Sequence, residues 1–343
     1  MAEYDDELTA RVKSLAREGG FDAVGIAPAG ASPDAQRFRA WLARGHHASM
    51  AYLARNVEKR LRPDRLVPGA RSVIYLAVGY APDPARPRPR LGIARFARGR
   101  DYHKVLKQRC HRLMDRVREV HGDFVGRAFV DSAPVLERSA ARAAGLGVIG
   151  WNGFLIVRAL GSYVCLCEIV SDLPLAPDPP ADGTCRQCGA CLRACPTGAL
   201  DEAGLDARLC ISYLTIEHDG PIDPALRPQM GRRLAGCDRC QVVCPHNADV
   251  PAGAPALRGE TEPLGGASLA DVLAWTPADW DRATRGSAVR RVAYDRLIRN
   301  AVLAAGNSAD TPERAQLAAA LRDLRPRRDD LRDAIDWALG RLA

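Results

Sequence analysis

At 343 residues, with 47% hydrophobic and 26% charged residues, the chain can hold two or three domains and is too apolar to be disordered. Its net charge is +8, carried almost entirely by arginine, since lysine occurs only at Lys13, Lys59, Lys104 and Lys107. No run approaches about 18 uninterrupted apolar residues, which excludes a membrane-spanning helix. The opening MAEYDDELTARVKSLAREGGF lacks the apolar core of a signal peptide, so a cytoplasmic protein is expected.

In chain order, ELTARVKSLAREGGF has the spacing of an amphipathic helix, while SVIYLAVGY, AFVDSA and SYVCLCEIV read as short buried strands. The mixture predicts an α+β fold whose residues 1–174 form an α/β unit. Between residues 84 and 118, twelve basic residues face only Asp101 and Asp115. That density suits a polyanion such as nucleic acid, although a solvated face is the commoner outcome for any such stretch.

Asp131 ends the strand-like RAFV and precedes the helical PVLERSAARAAG. Its position suits a helix N-cap, the commoner outcome on position alone, and otherwise a general acid beside a bound reactant. Glu137 and Arg138, one turn further, are placed to pair with neighbours. Gly145 to Gly150 matches G-x-G-x-x-G, but here the helix comes before the glycines and the strand-like FLIV after them. A dinucleotide site needs the reverse, so these glycines are expected to form a helix C-cap and a tight turn.

The Pro-rich LPLAPDPPADGT then separates a cysteine-rich unit, residues 175–255, from what precedes it. After ADVPAGAPALRGE, residues 256–343 carry helical periodicity. Thr311 and Pro312 look like a helix start, and ERAQLAAALRDL and DLRDAIDWALGRL pair as fragments of a HEAT-like helical repeat.

The strongest chemical signal is Cys185-x2-Cys188-x2-Cys191-x3-Cys195-Pro196, the bacterial ferredoxin run, whose fourth thiolate reaches across to a second cluster. Cys237-x2-Cys240-x3-Cys244-Pro245 echoes it, but Leu234 stands where a further cysteine belongs, and Cys210 is the nearest that could replace it. One 4Fe–4S cluster would then take Cys185, Cys188, Cys191 and Cys244, and the other Cys195, Cys210, Cys237 and Cys240. Zinc is the competing reading of paired CxxC, and the threefold run and both Cys-Pro endings favour iron–sulfur. Cys110, Cys165 and Cys167 remain, and packing is their default.

Several segments together resemble the epoxyqueuosine reductases, cobalamin- and iron–sulfur-dependent enzymes of tRNA modification. They are DSAPVLERSAARAAGLGVIGWNG, CRQCGACLRACPTGAL, the stretch from Leu205 to Asn247, and GSAVRRVAYDRLIRNAVLAAGNS. The resemblance implies an N-terminal cobalamin-binding domain, a ferredoxin-like domain with two clusters, and a C-terminal helical domain that contacts tRNA. It implies reduction of epoxyqueuosine to queuosine at wobble position 34 of tRNA, electrons passing from the clusters to cobalamin, with Asp131 as proton donor. A corrinoid-dependent reductive dehalogenase acting on a small molecule is the alternative.

By the same resemblance, Arg60, Asp131, Asn152, Leu155 and Ser212 match cobalamin-pocket positions. No D-x-H-x-x-G run offers a lower histidine ligand, and Trp151 stands where relatives commonly have lysine. Arg227, Arg232, Arg285, Arg290, Arg291 and Arg299 become candidate tRNA-phosphate contacts, with Arg233, Arg282 and Arg296 beside them. A monomer served by an electron donor such as flavodoxin or ferredoxin is expected.

Overall fold

The computed structural model describes residues 4–85, 90–259 and 264–343, so Arg86 and Arg88 of the basic stretch lie outside the described residues. The amphipathic opening forms helix α1 (Asp6–Glu18), started by the Asp5 carboxylate accepting the Leu8 N–H at 2.7 Å. Four antiparallel strands follow: β1 (Ala23–Pro28), β2 (Ser72–Gly79), β3 (Gly126–Phe129) and β4 (Val164–Ser171), in spatial order β1-β2-β4-β3. Both central strands are buried along nearly their whole length, which is why SVIYLAVG and VCLCEIVS read as apolar runs rather than alternations.

Helices cover both faces of this sheet. Tyr163, Cys165, Cys167 and Ile169 pack with α1 and with α2 (Tyr102–His121), where the Cys110 and Cys167 sulfurs lie 3.5 Å apart. Leu166, Val170, Tyr75 and Phe129 point the other way, onto α3 (Glu137–Ala143). Glu168 falls on that second face, in register with Tyr75 on one side and Phe129 on the other.

The glycine motif is resolved as packing. Gly145 ends α3 at φ +78°, in the manner of a cap, whereas Gly147 opens a short strand, Gly147–Ile149, paired with Leu155–Val157. A Cβ on Gly147 would lie 2.1 Å from the Ile156 carbonyl oxygen, so the second glycine is a close-approach position rather than part of a turn.

The cysteine-rich segment holds only short helices, among them α4 (Ala190–Ala194), α5 (Ile211–Ile216) and α6 (Arg239–Val242). Helices α7 (Leu269–Ala274) and α8 (Pro277–Thr284) follow, each opened by a capping box, Ser268 with Asp271 and Thr276 with Asp279. Helices α9 (Tyr294–Gly306), α10 (Arg314–Leu324) and α11 (Arg332–Leu342) complete the chain. The start expected at Thr311 is displaced: α10 begins at Arg314, because the Thr311 hydroxyl is spent on the Ser308 carbonyl at 2.8 Å.

The three regions share one core. Residues 233–235 pair with Gly92 and Ile93, and buried Asn300 of α9 donates to the carbonyls of Thr215 and Leu234 at 2.9 and 2.7 Å. Leu234, the missing cysteine, is buried in that core. No helix among the described residues is long and apolar enough to cross a membrane.

Candidate active site

The cysteines fall into the two groups expected. Cys185, Cys188, Cys191 and Cys244 line one small cavity together with Trp151, Asn152 and His246. Cys195, Cys210, Cys237 and Cys240 line a different one. Cys210, from outside both runs, is delivered by the N-terminus of α5 and fills the place that Leu234 leaves. Two sets of four thiols, with Cys195 and Cys244 exchanged between the runs, are the donor chemistry of a pair of 4Fe–4S clusters.

The second cavity is larger, about 420 Å³, and runs from the cysteines to Asp131. Its walls are largely apolar, with Phe96, Leu155, Val164, Leu166, Ile211 and Ile216 among them. A broad, largely apolar slot that ends at a set of four thiols and carries Asn152, Leu155 and Ser212 on its walls fits a large cofactor such as cobalamin.

Asp131 does not cap a helix. Its own φ is +50°, α3 begins only at Glu137, and the residue before α3, Leu136, makes no side-chain cap. The left-handed backbone turns the carboxylate toward the cavity and toward α2 instead. There the Tyr102 hydroxyl donates to Oδ2 at 2.5 Å, His103 Nε2 faces the same oxygen at 3.5 Å, and Arg291 Nη1 stands 3.9 Å away. Burial pushes the Asp131 carboxyl up, but the donors on α2 and the Arg291 charge outweigh it and hold it below the usual aspartate range.

His103 is itself aimed by Asp101, whose carboxylate caps α2 and meets His103 Nδ1 at 2.7 Å. Burial disfavours the imidazolium, yet the Asp101 and Asp131 carboxylates prevail and raise its pKa above the ordinary value. Tyr102 is held as the phenol by burial and by Asp131.

Glu137 stands on the other side of Asp131. Its Oε1 accepts the Asp131 main-chain N–H at 2.8 Å, and it lines the same cavity. Burial and the neighbouring Asp131 charge push its pKa up to about 8, so at neutral pH it keeps its proton. Deeper in the sheet, Glu168 has no exposed surface and neither carboxylate oxygen has a hydrogen-bond partner among the described residues; burial, then Glu137, raise its pKa well above normal.

Of the five expected cofactor residues, Asp131, Asn152, Leu155 and Ser212 line the larger cavity. Arg60 is not among its lining residues. It is buried behind the turn that carries Asp131, reaching Val135 and Tyr52 carbonyls only at 3.5 and 3.4 Å, with Nε unpartnered. Asn152 lines both cavities and donates to the Cys240 carbonyl at 3.3 Å. Trp151 lines the first cavity, beside the cysteines rather than beside Asp131.

The arginines divide. Arg299 is 4% exposed, its guanidinium spent on the carbonyls of Leu214, His218 and Gly220. Arg227 is 3% exposed and held by the Ile222 carbonyl and Asp333. Both secure the segment between the cysteine groups, which corrects the expectation that they meet phosphates. Arg296 likewise donates to the Ile216 carbonyl and pairs with Asp219. Arg232, Arg282, Arg285, Arg290 and Arg291 stay at the surface, with Arg290 lying over the Trp280 ring.

Tyr102, His103 and the proton-holding role of Glu137 were not legible as site residues. The available signal was the sequence Asp101-Tyr102-His103 at a helix start, where a capping aspartate places two polar aromatics in the first turn.

Comparison with known proteins bears on the same residues. A family model described as epoxyqueuosine reductase QueG, DUF1730, matches residues 60–132, and one described as a 4Fe-4S double cluster binding domain matches residues 184–247. The epoxyqueuosine reductase of Alicycliphilus denitrificans is 41% identical over 97% of this chain and 98% of its own. That of Pseudomonas aeruginosa is 41% identical over 97% of this chain and 94% of its own. A crystal structure of an epoxyqueuosine reductase with an epoxyqueuosine-modified tRNA-Tyr stem loop superimposes with a TM-score of 0.86 at 29% identity, covering 98% of this chain and 90% of that one.

Proposed function

The chain belongs to the epoxyqueuosine reductase family, and from that premise we propose that it reduces epoxyqueuosine to queuosine at the wobble position of tRNA. One observation carries this reading: four cluster-type thiols and the Asp131 carboxylate open into a single cavity. Breaking a carbon–oxygen bond reductively needs electrons and a proton at one place, and that cavity brings both sources together.

The cofactors are two 4Fe–4S clusters and cobalamin. Cobalamin, when bound, supplies the reactive cobalt; Asn152, Leu155 and Ser212 would line its site. Asp131 passes a proton to the epoxide oxygen, Tyr102 and His103 aim its carboxylate, and the apolar walls keep water from the reacting carbon.

Electrons enter at the cluster held by Cys185, Cys188, Cys191 and Cys244, whose edge is the more open one. Arg186 lines that cluster's cavity, and exposed Arg193, Arg239, Val242 and Val243 lie within the two cysteine runs, basic and apolar surface suited to an acidic carrier such as flavodoxin or ferredoxin. The tRNA backbone lies along Arg232, Arg285, Arg290 and Arg291. We read the chain as a cytoplasmic monomer, divided into cobalamin-binding residues 1–174, ferredoxin-like residues 175–255 and a HEAT-like, tRNA-contacting part, residues 256–343.

The test is anaerobic reconstitution with iron, sulfide and cobalamin, then incubation with tRNA bearing epoxyqueuosine and a low-potential reductant. Mass spectrometry of the nucleoside is expected to report loss of one oxygen. Intact substrate after full loading would overturn the reading.

A further inference from the structure

Removing an epoxide oxygen as water is a two-proton reaction. Both carbon–oxygen bonds break, one carbon–carbon double bond forms, two electrons enter from the one-electron carrier through the iron–sulfur sites, and the oxygen leaves with two hydrogens. Asp131 can deliver one proton per turnover. A second acid must reach the same oxygen.

We propose that Glu137 supplies that second proton, from the cavity wall directly beside Asp131. This rests on the epoxide-reductase reading above. Three observations carry it. Glu137 Oε1 accepts the Asp131 main-chain N–H at 2.8 Å, so the two carboxyl groups are held as neighbours by a backbone hydrogen bond that does not use the Asp131 side chain. Both groups line the one cavity. The surroundings also divide the labour: Asp131 faces a phenol, an imidazole and a guanidinium, all of which favour its anion, whereas at Glu137 burial and the Asp131 charge outweigh Arg138, His103 and the Asp131 N–H and favour the acid.

Every charged neighbour of Glu137 enters that balance. Asp131 from the preceding turn raises it, while Arg138 on its own helix and His103 from α2 lower it. Glu168, Tyr75, Cys165 and Cys167 from the sheet behind are kept in their neutral forms, and Arg60 is buried nearby. Burial prevails, and the acid persists to about pH 8. At rest, therefore, one proton sits on Glu137, and the His103 imidazole, its pKa raised by the Asp101 and Asp131 carboxylates, stands beside Asp131. In turnover the Asp131 carboxyl, charged through His103, protonates the opening epoxide, and Glu137 protonates the resulting hydroxide equivalent to water. Both carboxylates then refill from solvent at the half-exposed Asp131 side.

Glu137→Gln is the deciding variant, because its amide oxygen still accepts the Asp131 N–H while its NH2 cannot be spent as an acid. Wild-type turnover is expected to fall above pH about 8, where Glu137 ionises. In Glu137→Gln, turnover should drop by about 100-fold and lose that alkaline limb. Infrared titration without tRNA adds a readout independent of turnover: a neutral-carboxyl band that disappears near pH 8 should be absent from Glu137→Gln and present in Glu168→Gln.

The proposal is overturned if Glu137→Gln keeps wild-type turnover, if it loses turnover but keeps the alkaline limb, or if replacing Glu217, the other glutamate lining the cavity, by Gln removes that limb while Glu137→Gln does not. A wild type that removes no oxygen from the nucleoside overturns the reaction reading itself, and is told apart because the infrared titration of Glu137 would still be seen.

Discussion

The Tyr102 hydroxyl donates to Asp131 Oδ2 at 2.5 Å, from the first turn of α2 to a residue whose backbone is in the left-handed region. This bond does what a helix cap does elsewhere: it fixes a carboxylate that its own backbone leaves half-exposed. Tyr102→Phe removes the donor and leaves the ring packed against Phe96 and His103. Losing a hydrogen bond to a charged group costs about 1.5–3 kcal/mol, so single-turnover reduction should slow by roughly 10- to 100-fold. Cobalamin binding, followed by its visible spectrum, should be little changed.

Cys210 stands outside both cysteine runs yet lines the same cavity as Cys195, Cys237 and Cys240. Cys210→Ala should therefore lower iron from about eight to about four per chain, with the other site intact. Iron and sulfide analysis after anaerobic reconstitution checks this, and eight irons retained would mean another ligand.

Two arginines predict opposite behaviour. Arg285 is a surface residue paired with Asp281, so Arg285→Ala should leave the melting temperature unchanged and lower the salt dependence of tRNA binding by about one counterion. Arg299 is buried against three carbonyls, so Arg299→Ala should cost about 3 kcal/mol of stability before tRNA binding is touched. Filter binding across a salt series, with thermal melts of the same samples, separates the two.

Glu168 makes stability depend on pH with a definite sign. Its folded-state pKa is raised, so the folded chain holds a proton that the unfolded chain releases above about pH 4.3. Stability is therefore fully present below that pH and declines as pH rises toward the folded value. Glu168→Met should stabilise the chain by about 1–3 kcal/mol at pH 8 and by much less at pH 5, measured by denaturant unfolding. A gain of equal size at both pH values would mean that packing, not ionisation, is responsible.

The grouping of the cysteines into two cavities was legible because the runs are defined by short spacings, and the place of Cys210 in the second group followed from elimination. The strands were legible where both faces are buried, as in residues 72–79. The roles of the charged residues were not. Arg299 and Arg285 look alike in a sequence, and only the carbonyls of Leu214, His218 and Gly220 around the first tell them apart. Asp131 looked like a cap because a strand end precedes a helical stretch; the delay of α3 to Glu137 and the positive φ of Asp131 are properties of the packed turn. Glu137 looked like a residue placed to pair with a neighbour, and its raised pKa follows from burial in the packed turn and from the Asp131 charge, neither of which the sequence displays.

The exchange of Cys195 and Cys244 between the two sites has a consequence for how such a chain can change over evolutionary time. Neither cysteine run is a self-contained cassette: deleting residues 237–244 would strip one ligand from the first group and two from the second. A lineage cannot discard one site by trimming one segment and keep the other, as it can with modules strung end to end. The pair is inherited, or lost, as a unit, and point replacement of a single ligand such as Cys210 is the narrow route to a one-cluster descendant.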